Sequence, residues 1–150
     1  MSNVWIRRLA REEGSELVEY SVTIILLLTM LFGIAAFGQA LYSYHFIAHA
    51  AREATRWASV NGATCATDCT APAGQSDVQT YVDNMIPPGI DPSQVKVTAS
   101  WPTTTGICAT PNAPGCPVEV QVTYNFHVAV PLVPIGPLAM SSSSQMIITH

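Results

Sequence analysis

Charged side chains are scarce in this sequence. Only 11% of the 150 residues are Asp, Glu, Lys or Arg, whereas an average soluble domain has about 25%. The net charge is −4, and Lys96 is the only Lys or Arg that follows Arg56. Nucleic-acid binding needs a basic face, so this composition argues against a nucleic-acid partner.

Between Tyr20 and Ala51 there is no Asp, Glu, Lys or Arg at all. About 20 apolar residues are enough to cross a hydrocarbon core, so we predict a transmembrane helix over about residues 17–41. A secretory signal is the alternative, but its apolar core has only about 7–15 residues. The small residues Ala35-Ala36, where such a signal could be cut, lie inside the run.

The basic residues on either side of the run predict its orientation. Arg7, Arg8 and Arg11 precede it, and basic residues close to a span stay on the cytoplasmic side. Arg52 and Arg56 on the far side weaken this bias, but a long downstream region is exported regardless of its charge. We therefore expect a single-pass protein with its N-terminus in the cytoplasm and its C-terminal region outside.

Glu19 stands at the edge of the apolar run, five residues after Gly14. An ionised carboxylate in the centre of a membrane helix costs roughly 2.5–3.5 kcal/mol or more, so such a residue usually has a partner. If the chain is cut after Gly14, the new amine of Ser15 can pair with Glu19 in the same helix or in a neighbouring one. The alternative is that Glu19 lies at the level of the lipid headgroups, where its cost is small.

Two motifs resemble those of a known family. Residues 14–20 (Gly-Ser-Glu-Leu-Val-Glu-Tyr) resemble the type IV prepilin signal of the Flp (Tad) pilin subclass. Residues 50–58 (Ala-Ala-Arg-Glu-Ala-Thr-Arg-Trp-Ala) resemble the Ala-Arg-Glu-Gly-Ala-Arg signature of TadE-like proteins. Ala54 and Thr55 replace the usual Gly-Ala, which leaves both arginines in register. By this resemblance, which covers about the first 60 residues, the chain is identified as TadE-like.

The resemblance implies that the chain is made as a precursor. A prepilin peptidase would remove residues 1–14 as a leader by cutting between Gly14 and Ser15. Because this cut is on the cytoplasmic side of the apolar run, the mature protein would keep its membrane helix. The implied location is the bacterial inner membrane, in contact with its lipid, from which the protein could enter a surface pilus.

The resemblance also implies residues for assembly. Glu19 would neutralise an N-terminal amine in the filament, and Tyr20 would pack beside it. Arg52, Glu53 and Arg56 would hold the long helix against the head or against another subunit. The implied partners are other pilin or Tad assembly subunits, and the implied function is structural, in pilus assembly, adhesion or secretion. The size of the head favours a minor pilin or pseudopilin over the main filament subunit.

The helix is predicted to continue beyond the membrane, over residues 15–61, and to end at Asn61-Gly62, because Gly commonly follows the end of a helix. Its exported part carries a stripe of small residues, which let helices approach a neighbour closely. We favour packing of this stripe on the protein's own head, with another subunit as the alternative. The stripe consists of Ala48, Ala51, Thr55 and Ala58.

Residues 62–150 are predicted to form a small extracytoplasmic head. Ser76 is a suitable N-cap, and the apolar residues after it have helical spacing, so we predict a short helix that ends by residues 87–89 (Pro-Pro-Gly). Apolar and polar residues alternate over residues 95–101 and 118–130, which predicts two strands.

A third strand is predicted over residues 143–149, and the four serines at 141–144 are interpreted as a turn or an edge-strand feature. The predicted fold class is therefore α+β: a long N-terminal transmembrane helix, then a pilin-like head with a short helix and an antiparallel sheet of about three strands. Three strands are about the minimum for independent stability. We expect the exported half of the long helix to lie across the apolar face of this sheet.

All four cysteines follow the predicted span. They are Cys65, Cys69, Cys108 and Cys116. An even number in a small exported domain predicts disulfides. We favour bonds within the first pair and within the second, because each closes a short local loop, but the two other connectivities stay open. A zinc site is the alternative, although neither spacing matches the common two-residue knuckle.

The sequence contains no recognisable set of catalytic residues. His45 and His49 are one helical turn apart, but Phe46 occupies the place of the Glu in the metalloprotease motif. We expect no metal, no cofactor, no small-molecule substrate and no enzymatic activity. A structural subunit is the favoured function. A membrane-anchored binding module that never assembles comes second, and an enzyme with a pocket around His127 and Glu119 comes third.

Overall fold

The computed structural model of the chain describes residues 3–62, 72–103, 106–109, 111–127 and 136–149. For residues 3–15 and 107 it describes the backbone alone. The described residues divide into two compact units, one formed by residues 3–39 and the other by the remainder.

The longest element is helix α1, Asn3–Val60. It ends at the Asn61-Gly62 stop that the sequence predicts. Its start differs from the predicted start at Ser15, because the backbone is already helical from Asn3. Residues 3–13 are mostly good helix formers, and Gly14, the one weak residue at this point, costs only about 1 kcal/mol in a helix interior.

In the first unit, the described side chains of residues 16–39 are exposed, with the exception of half-buried Ala36. The mean hydropathy reaches 2.3 over an 18-residue window of this helix, which is long and apolar enough to cross a membrane. Large exposed apolar surfaces are unusual in soluble monomers. The helix is therefore a membrane anchor by its length and composition.

The second unit contains a three-stranded antiparallel sheet, which confirms the predicted α+β fold class. The strands are β1 (Val95–Ser100), β2 (Pro117–Phe126) and β3 (Leu138–Ile147), in the order β1-β2-β3. The register pairs Val97 with Val122 and Val120 with Ser144. The alternation that predicted β1 and β2 corresponds to buried and exposed side chains along both strands.

Two strand boundaries differ from the prediction. β2 ends at Phe126, and residues 128–130 of the predicted strand lie outside the described residues. β3 begins at Leu138, five residues before the predicted start at Ser143, and ends at Ile147. The four serines therefore lie within an edge strand. Because all four side chains are small and polar, they show no alternation of apolar and polar residues from which this part of the strand could be predicted.

Helix α2, Gln75–Asp83, packs Val78 and Val82 into the core. Its N-cap is Gly74, which corrects the assignment of Ser76; that residue is exposed and already helical. The reason is that the Asp77 carboxylate accepts a hydrogen bond of 2.8 Å from the Gly74 N–H. The backbone N–H at the helix start is therefore satisfied by the side chain of Asp77, the third residue of the helix, and no hydroxyl is needed at the N-cap.

The core of the second unit lies between α1, α2 and one face of the sheet. The buried face of α1 is made of small residues and one large one, Ile47. Three residues of the predicted small stripe, Ala51, Thr55 and Ala58, are buried in the head, whereas Ala48 is half-buried. Trp57 of α1 packs against this core and stacks on Tyr81 of α2 with ring centroids 5.3 Å apart. The core residues from α1 and the sheet are Ile47, Ala50, Ala51, Ala54, Ala58, Val95, Val97, Val118, Val120, Val122, Tyr124, Phe126 and Ile148.

Candidate processing and assembly site

The predicted cleavage site lies inside α1. The backbone on both sides of the Gly14–Ser15 bond is helical. Glycine weakens a helix interior by about 1 kcal/mol relative to alanine, so α1 unwinds more easily at Gly14 than at its neighbours.

Glu19 and Tyr20 lie on the exposed surface of α1, and Tyr20 is 69% exposed. Among the side chains that the structure describes, none forms an ion pair with the Glu19 carboxylate. Ser15 and Glu19 are four residues apart, a spacing that places two residues on the same face of a helix. A free amine at Ser15 would therefore lie one turn from this carboxylate, and the positive end of the shortened helix would favour its charge.

Three serine and threonine hydroxyl groups in the apolar part of α1 are satisfied by the helix itself. Ser21 donates to the carbonyl of Val18, and Thr23 donates to the carbonyl of Glu19, at 2.8 and 2.9 Å. Thr29 donates in the same way, to the carbonyl of Ile25. Polar groups in lipid need such partners within the protein, and the Glu19 carboxylate has no ion-pair partner among the described side chains.

The charged residues at the other end of α1 also face outward. Arg56 binds the Glu53 carboxylate through Nη2 at 3.0 Å and Nε at 3.1 Å, and Arg52 Nε donates to the carbonyl of Ala48 at 3.0 Å. All these contacts lie within α1, and both arginines are exposed. The predicted contact of these residues with the head or with another subunit stays a prediction.

The structure contains a disulfide between Cys108 and Cys116, the pairing that the short intervening loop favours. The loop is tied to the rest of the head by Asn112, whose side-chain amide donates to the carbonyl of Ala73 at 3.1 Å. Cys65 and Cys69 lie outside the described residues.

The residues that could have supported other chemistry are dispersed. His45 and His49 are exposed on α1, and no group of three or more potential metal ligands occurs in the part of the chain that the structure describes. Glu119 is half-buried and His127 is exposed beyond the end of β2.

The contacts of two glutamines are not predictable from the sequence. Gln75 and Gln79 bind the backbone of β1, which is 18 to 24 residues away in the sequence. The only local signal is that two glutamines are spaced by one turn on α2, and this spacing is common on solvent-exposed helix faces.

The fold and the site together define a membrane-anchored protein with a small disulfide-containing α+β head. The family model described as TadE-like protein matches residues 14–56. This match confirms the resemblance drawn from the two motifs, since it extends from Gly14 to Arg56. No curated protein and no solved structure matches the chain.

Proposed function

We propose that this protein is a minor pilin or pseudopilin of a Tad (Flp) pilus, made as a membrane precursor and assembled through its long helix. The observation that carries the proposal is the five-residue interval from Gly14 to Glu19 at the head of an uncharged helix. This interval lies within residues 14–56, the stretch that matches the TadE-like family model. The function is structural, in pilus assembly and in the adhesion or secretion that such a pilus serves.

Processing by a prepilin peptidase would separate residues 1–14 from the remainder and would leave the membrane helix intact. The new amine of Ser15 would neutralise Glu19, in its own helix or in the neighbouring subunit, while Tyr20 packs beside the pair. This pairing is favourable because each charge alone would be costly in lipid. It gives the exposed carboxylate of Glu19 the partner that the described residues do not offer.

The proposed topology places the leader in the cytoplasm and the head outside the inner membrane, with residues 17–41 surrounded by lipid. The disulfide between Cys108 and Cys116 supports this location for the head, because disulfides persist in oxidising compartments and are rare in the cytosol.

In the exported half of α1, one face packs on the head and the other is free to contact another subunit. Its small residues are buried in the head, whereas Arg52 and Arg56 remain exposed. An exposed arginine with its side chain already ordered along the helix is available for a carboxylate on another subunit. The presence of a folded head, in addition to the helix, favours a minor subunit over the main filament subunit.

The proposal is tested by the N-terminal sequence and mass of the protein isolated from its native membrane or surface appendages. We expect a chain that begins at Ser15. Replacement of Gly14 by Leu should abolish the cut, because the peptidase must accommodate the residue before the cleaved bond. Gly33 is a matched control in the same helix, with no neighbouring atom near the position of an added Cβ, and Gly33→Leu should be cut normally.

A chain that still begins at Met1 in its native membrane would contradict the processing step. Combined with normal export of the head, that result would favour the membrane-anchored binding module, which needs no processing. Cleavage without recovery of the protein from appendages would contradict the assembly step alone.

A further inference from the structure

The outer edge of strand β1 is occupied by side chains from helix α2. The Gln75 side chain donates from Nε2 to the carbonyl of Val97 and accepts at Oε1 from the N–H of Ala99, both at 2.6 Å. One turn further along α2, Oε1 of Gln79 accepts from the N–H of Val97 at 3.0 Å. Two glutamines thus make three hydrogen bonds to the backbone of one edge strand.

These bonds use the backbone groups that an added strand would need. β1 is at the edge of the sheet, and alternate residues of an antiparallel strand direct both backbone groups to the same side. Since Val97 bonds to α2, Val95 and Ala99 also point away from β2. The N–H of Val95 donates to the carbonyl of Pro92, so all three outward N–H groups of β1 have an acceptor.

The side-chain amide of Gln75 bonds to β1 as the backbone of a neighbouring strand would. It donates to the carbonyl of Val97 and accepts from the N–H of Ala99, the next residue that points outward. Gln79 is itself oriented by a bond of 2.7 Å from its Nε2 to the Asp83 carboxylate. Attachment of α2 to the head does not require these bonds, since Val78 and Val82 are fully buried beneath the same helix. The main effect of the two glutamines is therefore to occupy the backbone groups at the edge of β1, and the attachment of α2 depends on them less.

An unpaired sheet edge is a template for pairing with another chain. We propose that Gln75 and Gln79 close β1 against antiparallel pairing with β1 of a second copy of this protein. A second copy is the relevant partner because the membrane anchor concentrates all copies in one plane, and every copy carries the same edge. The inference does not depend on the pilus function, since it applies to any anchored form of the chain.

The test uses the full-length protein in detergent micelles and an amine-reactive cross-linker. Lys96 lies on β1 and is the only lysine in the sequence, so a Lys96–Lys96 product identifies two β1 strands side by side. We expect this product from the Gln75→Ala, Gln79→Ala double variant and not from the wild type. Gln121→Ala, which removes an exposed glutamine on β2, is the matched control and should behave as the wild type.

Amide hydrogen exchange supplies the second measurement. In the double variant at low concentration, the amides of Val97 and Ala99 should exchange about five- to tenfold faster, which corresponds to the loss of one ordinary hydrogen bond each. If the double variant does not fold, the two single variants are used instead, because Gln75→Ala frees the amide of Ala99 and Gln79→Ala frees the amide of Val97. A folded variant that exchanges these amides faster and yet gives no Lys96–Lys96 product would overturn the proposal, as would unchanged exchange.

Discussion

The hydroxyl of Thr55 on α1 lies 3.2 Å from the carbonyl oxygen of Ser144 on β3 and shares its proton with the carbonyl of Ala51, at 2.6 Å. Thr55 is fully buried. A side chain this short reaches the backbone of a strand only where helix and strand approach closely, and small residues on both elements allow that approach. The backbone of Ser144 is thus the strand side of the contact that Thr55 of α1 makes with β3.

The first prediction concerns the hydroxyl of Thr55. Thr55→Val keeps the shape of the side chain but leaves the Ser144 carbonyl without this donor, so the head should lose about 1–3 kcal/mol of stability. Thr23→Val is the control, because Thr23 bonds only to its own helix in the membrane segment. Thermal or denaturant unfolding of the head in micelles measures both, and equal effects of the two substitutions would contradict the prediction.

The second prediction concerns Gly62, directly after α1. A Cβ at this position would lie 2.6 Å from Cγ2 of Ile148, a side chain that is almost fully buried. Gly62→Ala should therefore force the C-terminal residues away from α1 and cost about 1–3 kcal/mol, as overpacking generally does. Gly136→Ala is the control, since no atom lies within 4 Å of its added Cβ. If both variants unfold at the wild-type midpoint, the Ile148 side chain moves aside without a loss of stability, and the prediction is wrong.

The elements that the sequence predicted well are those in which burial alternates with a short period. Val95 and Val97 on β1, and Val118, Val120 and Val122 on β2, face the core in the pattern that predicted both strands. The membrane helix was predictable for a related reason, because a run without charge from residue 20 to 51 has few alternatives.

Features that depend on distant contacts were not predictable. The start of β3 is one of them, because the four serines at 141–144 carry no alternating pattern of their own. The sequence predicts Ser76 as the N-cap because hydroxyls usually take that place, whereas the N-cap is Gly74, whose N–H donates to the Asp77 carboxylate. The contacts of Gln75 and Gln79 join α2 to β1 across a sequence separation that no local pattern reports.

The third prediction concerns the disulfide between Cys108 and Cys116, which closes a loop with a sequence separation of 8. For a loop of this length the restriction of the unfolded chain contributes about 2.5 kcal/mol. The Cys108→Ser, Cys116→Ser double variant should therefore unfold more readily by about this amount. The measurement compares unfolding with and without reductant in both proteins. If reductant lowers the free energy of unfolding as much in the double variant as in the wild type, the stabilisation does not come from this disulfide.

The fourth prediction is a pH dependence. The hydroxyl of Ser93, and then its backbone N–H, hydrogen-bond the Asp91 carboxylate and lower its pKa, and His127 adds a smaller effect of the same sign. A lowered pKa means that the stabilisation is present above the pKa of the unfolded chain, about 4, and disappears as the pH falls through the lower folded value. Ser93→Ala should raise the pKa of Asp91 toward its ordinary value in an NMR titration. Ser76→Ala, an exposed serine on α2, should leave it unchanged.

The last prediction separates the position of Glu19 from its charge. If its carboxylate neutralises an N-terminal amine in lipid, Glu19→Gln leaves that amine without a partner, and breaking such a buried pair costs about 3–5 kcal/mol. Incorporation into appendages should then fall more than a hundredfold by that energy, while cleavage after Gly14 continues. Glu16→Gln removes the same charge from the neighbouring turn of α1 and should retain most incorporation. The measurement is the ratio of processed protein in appendages to processed protein in the membrane, because this ratio is insensitive to expression. Equal losses for the two variants would show that the summed charge of this segment matters, and that the spacing of Glu19 from Ser15 does not.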